Sequence, residues 1–130
     1  LIKLYYYTQN QDFLTKAAQI IKRASRPATG NPFGFGQMLS AIYLRVKTPL
    51  EISIIKRGKN SVLGDYLNRK FLPNAITAIL EESDLAELQK FPYFKNKSNE
   101  SQKKEYAYVC KDFTCSLPIN SIDELEKNIL

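Results

Sequence analysis

Apolar residues along the first third of the chain recur at helical spacing. Phe13, Ala17, Ile20, Ile21 and Ala24 stand at i, i+4, i+7, i+8 and i+11, one stripe on an amphipathic helix that should end before Pro27. Leu1, Leu4 and Tyr5 form a helical turn ahead of it, and the polar break at 8–11 makes the two a helical hairpin. Beyond residues 26–32, which hold two prolines and Gly30, a further stripe of Phe35, Met38, Leu39, Ile42, Tyr43 and Val46 predicts another helix, closed by Pro49.

The period then shortens. Residues 50–55, Leu-Glu-Ile-Ser-Ile-Ile, read as a strand between Pro49 and Gly58. Asn60 or Ser61 can cap a helix whose face is Leu63, Tyr66, Leu67 and Phe71, ended by Pro73. Residues 75–80 give a second strand. Ser83 then caps a short helix with Leu85 and Leu88 inward and Pro92 as its stop. A polar loop over 94–104 leads to a third strand at 106–110, and 111–114 turn the chain into an antiparallel fourth strand at 115–119. Ser121 and Glu124 have the spacing of a capping box and open a last helix with Ile122, Leu125 and Ile129 on its apolar face.

This order predicts an α+β fold: a helical layer of two to three helices over 1–47, then a β-α-β-α-β-β-α unit over 48–130 with a mixed, mostly parallel sheet. Only Lys47 and Thr48 separate the two parts, so they should pack as one body. So small a helical layer cannot cover both of its own faces, which leaves an apolar stripe to be buried by the α/β unit, by more chain or by self-association. With the opening on Leu1 inside a helical turn, the expectation is a piece of a larger protein.

Composition narrows the chemistry. At 130 residues the chain suits one domain. The absence of histidine removes the commonest general base, the usual zinc ligand and every Ser/His or Cys/His nucleophile pair. No catalytic constellation or cofactor signature takes its place. Nineteen Lys and Arg against thirteen Asp and Glu give +6. The densest basic stretch, Lys95, Lys97, Lys103 and Lys104, lies among Asn, Ser and Gln with Glu100 and Glu105 interposed, and reads as a solvated loop rather than a nucleic-acid surface. No secretory signal or membrane span is legible, so the cytoplasm is the expected compartment.

Three groups of residues are candidate sites. Cys110 and Cys115 face each other across a predicted hairpin, as a disulfide or redox pair, or as two buried thiols acting as small hydrophobes. Two thiolates without histidine do not make a metal site. Arg57, Gly58, Lys59, Asn60 and Ser61 lie between a strand and a helix, where backbone amides can hold an anion, although a plain βα turn is the favoured reading. Gly30, Phe33, Gly34, Phe35 and Gly36 form a glycine-rich entry to a helix and a candidate pocket loop. Tyr5, Tyr6 and Tyr7 could form an aromatic platform, but three tyrosines spread around a helix end usually send one into the core. Glu81, Glu82, Asp84 and Glu87 fit first-turn acids.

Two segments carry a family resemblance. Phe71-Leu72-Pro73-Asn74 is similar to a "(F/Y)(L/I)PN" motif, and Ala107-Tyr108-Val109-Cys110 with Phe113-Thr114-Cys115 and Pro118 is similar to "AYVC-x-x-(F)-x-C-x-x-P". Both resemble the C-terminal end of the thioredoxin-domain family that includes spermatogenesis-associated thioredoxin-like proteins. There a thioredoxin-like domain precedes a six-hairpin α/α toroid similar to N-acylglucosamine 2-epimerases, and a small α/β tail follows. The resemblance implies a non-catalytic C-terminal segment completing and capping that toroid, with the thioredoxin-like and toroid parts of the same protein as its partners. The competing reading is part of a sugar- or small-molecule-binding, epimerase- or isomerase-like enzyme, with residues 30–36 at the toroid rim or 57–61 lining its pocket. A third is a stand-alone anion-binding or redox module.

Overall fold

The computed structural model describes residues 1–97, 104–111 and 114–129. Helix α1 (Ile2–Thr8) stops where Gln9 takes a left-handed conformation, φ 55°, and the Thr8 hydroxyl donates to the Leu4 carbonyl at 2.7 Å. Asn10 restarts the chain, its side-chain oxygen accepting from the Asp12 N–H at 2.9 Å to cap α2 (Gln11–Gly30). The expected stop before Pro27 is corrected, since α2 runs through it. Proline removes one helical donor, which costs a bond without ending the helix. The last turn is held by Ala28, 1% exposed, and by the Thr29 hydroxyl donating to Ser25 O at 2.7 Å. A short turn at Pro32–Phe35 leads into α3 (Gly36–Val46), which closes the helical layer.

The α/β unit contains β1 (Leu50–Lys56), α4 (Val62–Asn68), β2 (Ala75–Glu81), the one-turn α5 (Leu85–Leu88), β3 (Glu105–Lys111), β4 (Thr114–Cys115) and α6 (Ile122–Ile129). The fold is α+β, with a four-stranded sheet in the order β2-β1-β3-β4. Strands β1 and β2 are parallel in the register Leu50 to Ala75, joined by a crossover through α4.

The mostly parallel arrangement is corrected at the third strand: β3 runs antiparallel to β1, as β4 does to β3. β2 ends at Glu81 and β3 begins at Glu105, and both pair with Lys56, so this connection leaves and re-enters the sheet at one end. Its helix is a single turn, too short to carry the chain back along the sheet. β4 is shorter than predicted. Ser116 N still donates to Val109 O at 2.8 Å, but Pro118 cannot donate to a ladder, and the next paired position is the Ala107–Ile119 bridge, with bonds of 2.7 and 2.8 Å.

The two sheet faces differ. Ile52, Ile54, Ala107 and Val109 pack with Leu63 and Leu67 of α4 and Leu125 of α6. Phe71, expected on this buried face, lies beyond the end of α4 and is 90% exposed. On the other face Ile76 packs with Tyr93 and Phe94 and with Ile2, Ala17 and Leu44 of the helical layer. Tyr7 fixes that layer to the sheet. Its hydroxyl donates to Thr77 O at 2.9 Å, and its ring meets Tyr93 edge-on at 4.9 Å. In this layer Leu4, Ile20, Leu39, Tyr43 and Val46 are exposed. No helix among the described residues is long and apolar enough to cross a membrane.

Candidate functional site

Strand alternation places Glu51 and Ser53 of β1 beside Tyr108 and Cys110 of β3 on the face away from α4 and α6, Glu51 opposite Cys110 and Ser53 opposite Tyr108. Glu51 and Ser53 are buried polar residues in a central strand, which demands partners above them. These come from the turn Pro92–Phe94 and the residues after it. The Tyr93 hydroxyl lies 3.0 Å from both the Ile52 and Ile76 carbonyls and fastens the turn to β1 and β2. Lys97 reaches down from there. Its Nζ donates to Ser53 Oγ at 2.8 Å and sits 4.0 Å from the centre of the Tyr93 ring.

Lys97 is therefore not part of a solvated basic loop. It is 4% exposed, while Lys95 and Lys104 on either side stay in water and 98–103 lie outside the described residues. Burial pulls its amine down to about 8, against the opposing pull of Glu51's charge. The Tyr93 phenol moves up, chiefly through burial. Glu51, Tyr93, Lys97, Tyr108, Cys110 and Cys115 all line one cavity of about 340 Å³.

Cys110 and Cys115 are joined by a disulfide, their Cα atoms 3.9 Å apart in directly opposed positions of β3 and β4. The reading of two buried thiols is corrected: Cys110 is buried, but Cys115 lies on the two-residue edge strand and is exposed. The two sulfurs thus join the solvent side of the sheet edge to the wall of the Lys97 cavity. Chemically, the cavity combines a buried amine, a carboxylate and a disulfide.

The other candidate groups lie elsewhere. In the turn 57–61, the Lys56 ammonium donates to Gly58 O at 2.8 Å and pairs with Glu81, and Arg57 pairs with Glu82. Ser61 caps α4, its hydroxyl accepting from Gly64 N at 2.8 Å. The amides at the start of α4 point to the Glu105 carboxylate, which accepts from Val62 N at 2.9 Å and from the Ser61 hydroxyl at 2.7 Å. An internal carboxylate thus occupies the position an anion would take. The loop 30–36 is a surface feature: Phe33 is fully exposed, and Gly34 packs against Asn31, whose side chain caps its N–H at 3.2 Å. The shallow hollow beside it shares no residue with the disulfide cavity. Among the described residues no three His, Cys, Asp or Glu side chains converge as a metal site would need.

Sequence reasoning missed Lys97, Glu51 and Ser53. The available signal was the polar pair at alternate positions of an otherwise apolar strand, which must face a polar partner when the strand is central.

Over 131 aligned positions the chain is 27% identical to B0495.5, an uncharacterized protein of Caenorhabditis elegans, in an alignment that takes in 98% of this chain and 17% of that protein. No family model matches the chain, and no solved structure matches it. The chain spans about one sixth of the length of this relative.

Proposed function

We propose that this chain is a non-catalytic accessory segment of a longer protein, whose helical layer completes a larger all-helical body while its α/β unit caps that body. The observation that carries the reading is the apolar surface that the helical layer leaves exposed. Leu4, Ile20, Tyr43 and Val46 stand 45, 48, 45 and 74% exposed, and Ile20 also lines a cleft of about 410 Å³ with Ile2, Ala17, Met38, Ala41 and Leu44. Patches of this kind mark surfaces that are covered in the working molecule. The occupant we assign is further helix from the same polypeptide, supported by the alignment of nearly the whole chain within 17% of a longer relative. The motif residues Phe71 to Asn74 and Ala107 to Cys115 favour a parent of the thioredoxin-domain, six-hairpin toroid kind.

The test is the intact denatured mass of the natural polypeptide carrying this sequence, with lysine cross-linking from Lys3, Lys16 and Lys22 on α1 and α2. A mass several times 14.9 kDa, with cross-links from these lysines to helical sequence of the same polypeptide, is the expected result. A mass of 14.9 kDa overturns the proposal, as does a long polypeptide whose cross-links bypass the helical layer.

A further inference from the structure

We propose that the Cys110–Cys115 bond is an exchangeable redox site, opened by a dithiol reductant that attacks Cys115 and expels Cys110 as a thiolate into the Lys97 cavity. This proposal is independent of the accessory role. It rests on the unequal exposure of the two cysteines. Cys115 lies exposed on an edge strand of two residues, where an incoming thiolate can reach it, while Cys110 is 2% exposed and faces inward. Exposed disulfides are the labile ones, and exchange is faster when the leaving thiolate is stabilised. The buried cation for that purpose is Lys97, which lines the same cavity as Cys110. Glu51, Tyr93, Tyr108 and Lys95 are the other titratable groups on the cavity wall.

The steps balance. A reductant thiolate forms a bond to Cys115 Sγ as the Cys110–Cys115 bond breaks, and the electron pair leaves on Cys110 Sγ. The second thiolate of the same dithiol then attacks the reductant sulfur of the mixed disulfide and releases Cys115 as a thiolate. The dithiol is oxidised to its disulfide and the protein gains two electrons. β4 is then free of its covalent tie to β3, and this edge is held by the β3–β4 ladder, by the Ser116 N–H donating to Val109 O at 2.8 Å and by the Ala107–Ile119 bridge.

The experiment uses the full chain without denaturant. Dithiothreitol supplies the dithiol and reduced glutathione a one-thiol probe; acid quench, maleimide labelling and peptide mass mapping read the products. We expect complete reduction by dithiothreitol with native circular dichroism retained, and a glutathione adduct at Cys115. Lys97→Gln should slow opening about threefold, as an unassisted leaving thiol would. Reduction only in denaturant, loss of the fold on reduction, or an adduct at Cys110 overturns the proposal. An unchanged rate in a folded Lys97→Gln variant refutes the part given to Lys97, and the wild-type adduct position tests the remainder even if that variant does not fold.

Discussion

Lys97 gives a quantitative test of the cavity through its pH dependence. The unfolded chain keeps the lysine proton up to about 10.5, whereas in the folded protein burial lowers the value to about 8. Between these limits the unfolded state holds more protons, so folding stability must climb as pH rises. At about 1.4 kcal/mol per pH unit the full effect is between about 3 and 4 kcal/mol, and the part falling between pH 7 and pH 9.5 is about 2 kcal/mol. The phenols of Tyr7, Tyr93 and Tyr106 are raised above 10.0 by burial and pull stability down above that pH, so the window stops at 9.5. Urea unfolding followed by circular dichroism at constant ionic strength should show wild-type stability gaining on Lys97→Met by about 2 kcal/mol from pH 7 to 9.5. Methionine keeps the length of the side chain and removes the titration. If the two proteins keep a constant stability difference across the window, Lys97 titrates as a solvated lysine and the buried-amine argument fails.

Three further outcomes follow from the packing. Leu125 is fully buried between α4 and the sheet, so Leu125→Ala should lower the unfolding free energy by about 2–5 kcal/mol in a denaturant titration. Glu105→Gln weakens the acceptor serving Ser61 and the first amides of α4, and thermal unfolding should register a loss of about 1 kcal/mol. The Tyr106 hydroxyl is buried with no hydrogen-bond partner among the described residues, so Tyr106→Phe should be neutral or stabilising by up to about 1 kcal/mol, and a loss above that would place a partner on the hydroxyl.

Much of the fold was legible because its local signals agree. Ser61 and Ser121 sit at helix starts, apolar stripes mark the helices, and the β1–β2 crossover follows from alternation of short strand and helix. The direction of β3 was not legible, because it depends on where residues 82–104 re-enter the sheet, and no local periodicity encodes that end point. Pro27 misled for a related reason: proline reports one lost donor, and whether a helix continues depends on what anchors the next turn, here the buried Ala28. At the candidate site the two cysteines were visible by their spacing, but Lys97 lies in a stretch whose composition signals water. Only the demand of Glu51 and Ser53 for polar company draws it inward, and that demand acts through the tertiary structure.

The polar residues of β1 also determine which of two alignments the strand can adopt. β1 is shared by both long ladders, so an error in its alignment would propagate to β2 and β3 together. Sliding it by one residue would exchange its faces, sending Glu51 and Ser53 into the apolar layer under α4 and α6 and turning Ile52 and Ile54 toward the Lys97 ammonium. Either half of that exchange strands a buried charge or hydroxyl without a partner, a cost that an all-apolar strand would not incur. Glu51 and Ser53 therefore act as a ratchet on strand alignment, giving the strand shared by both long ladders one admissible pairing.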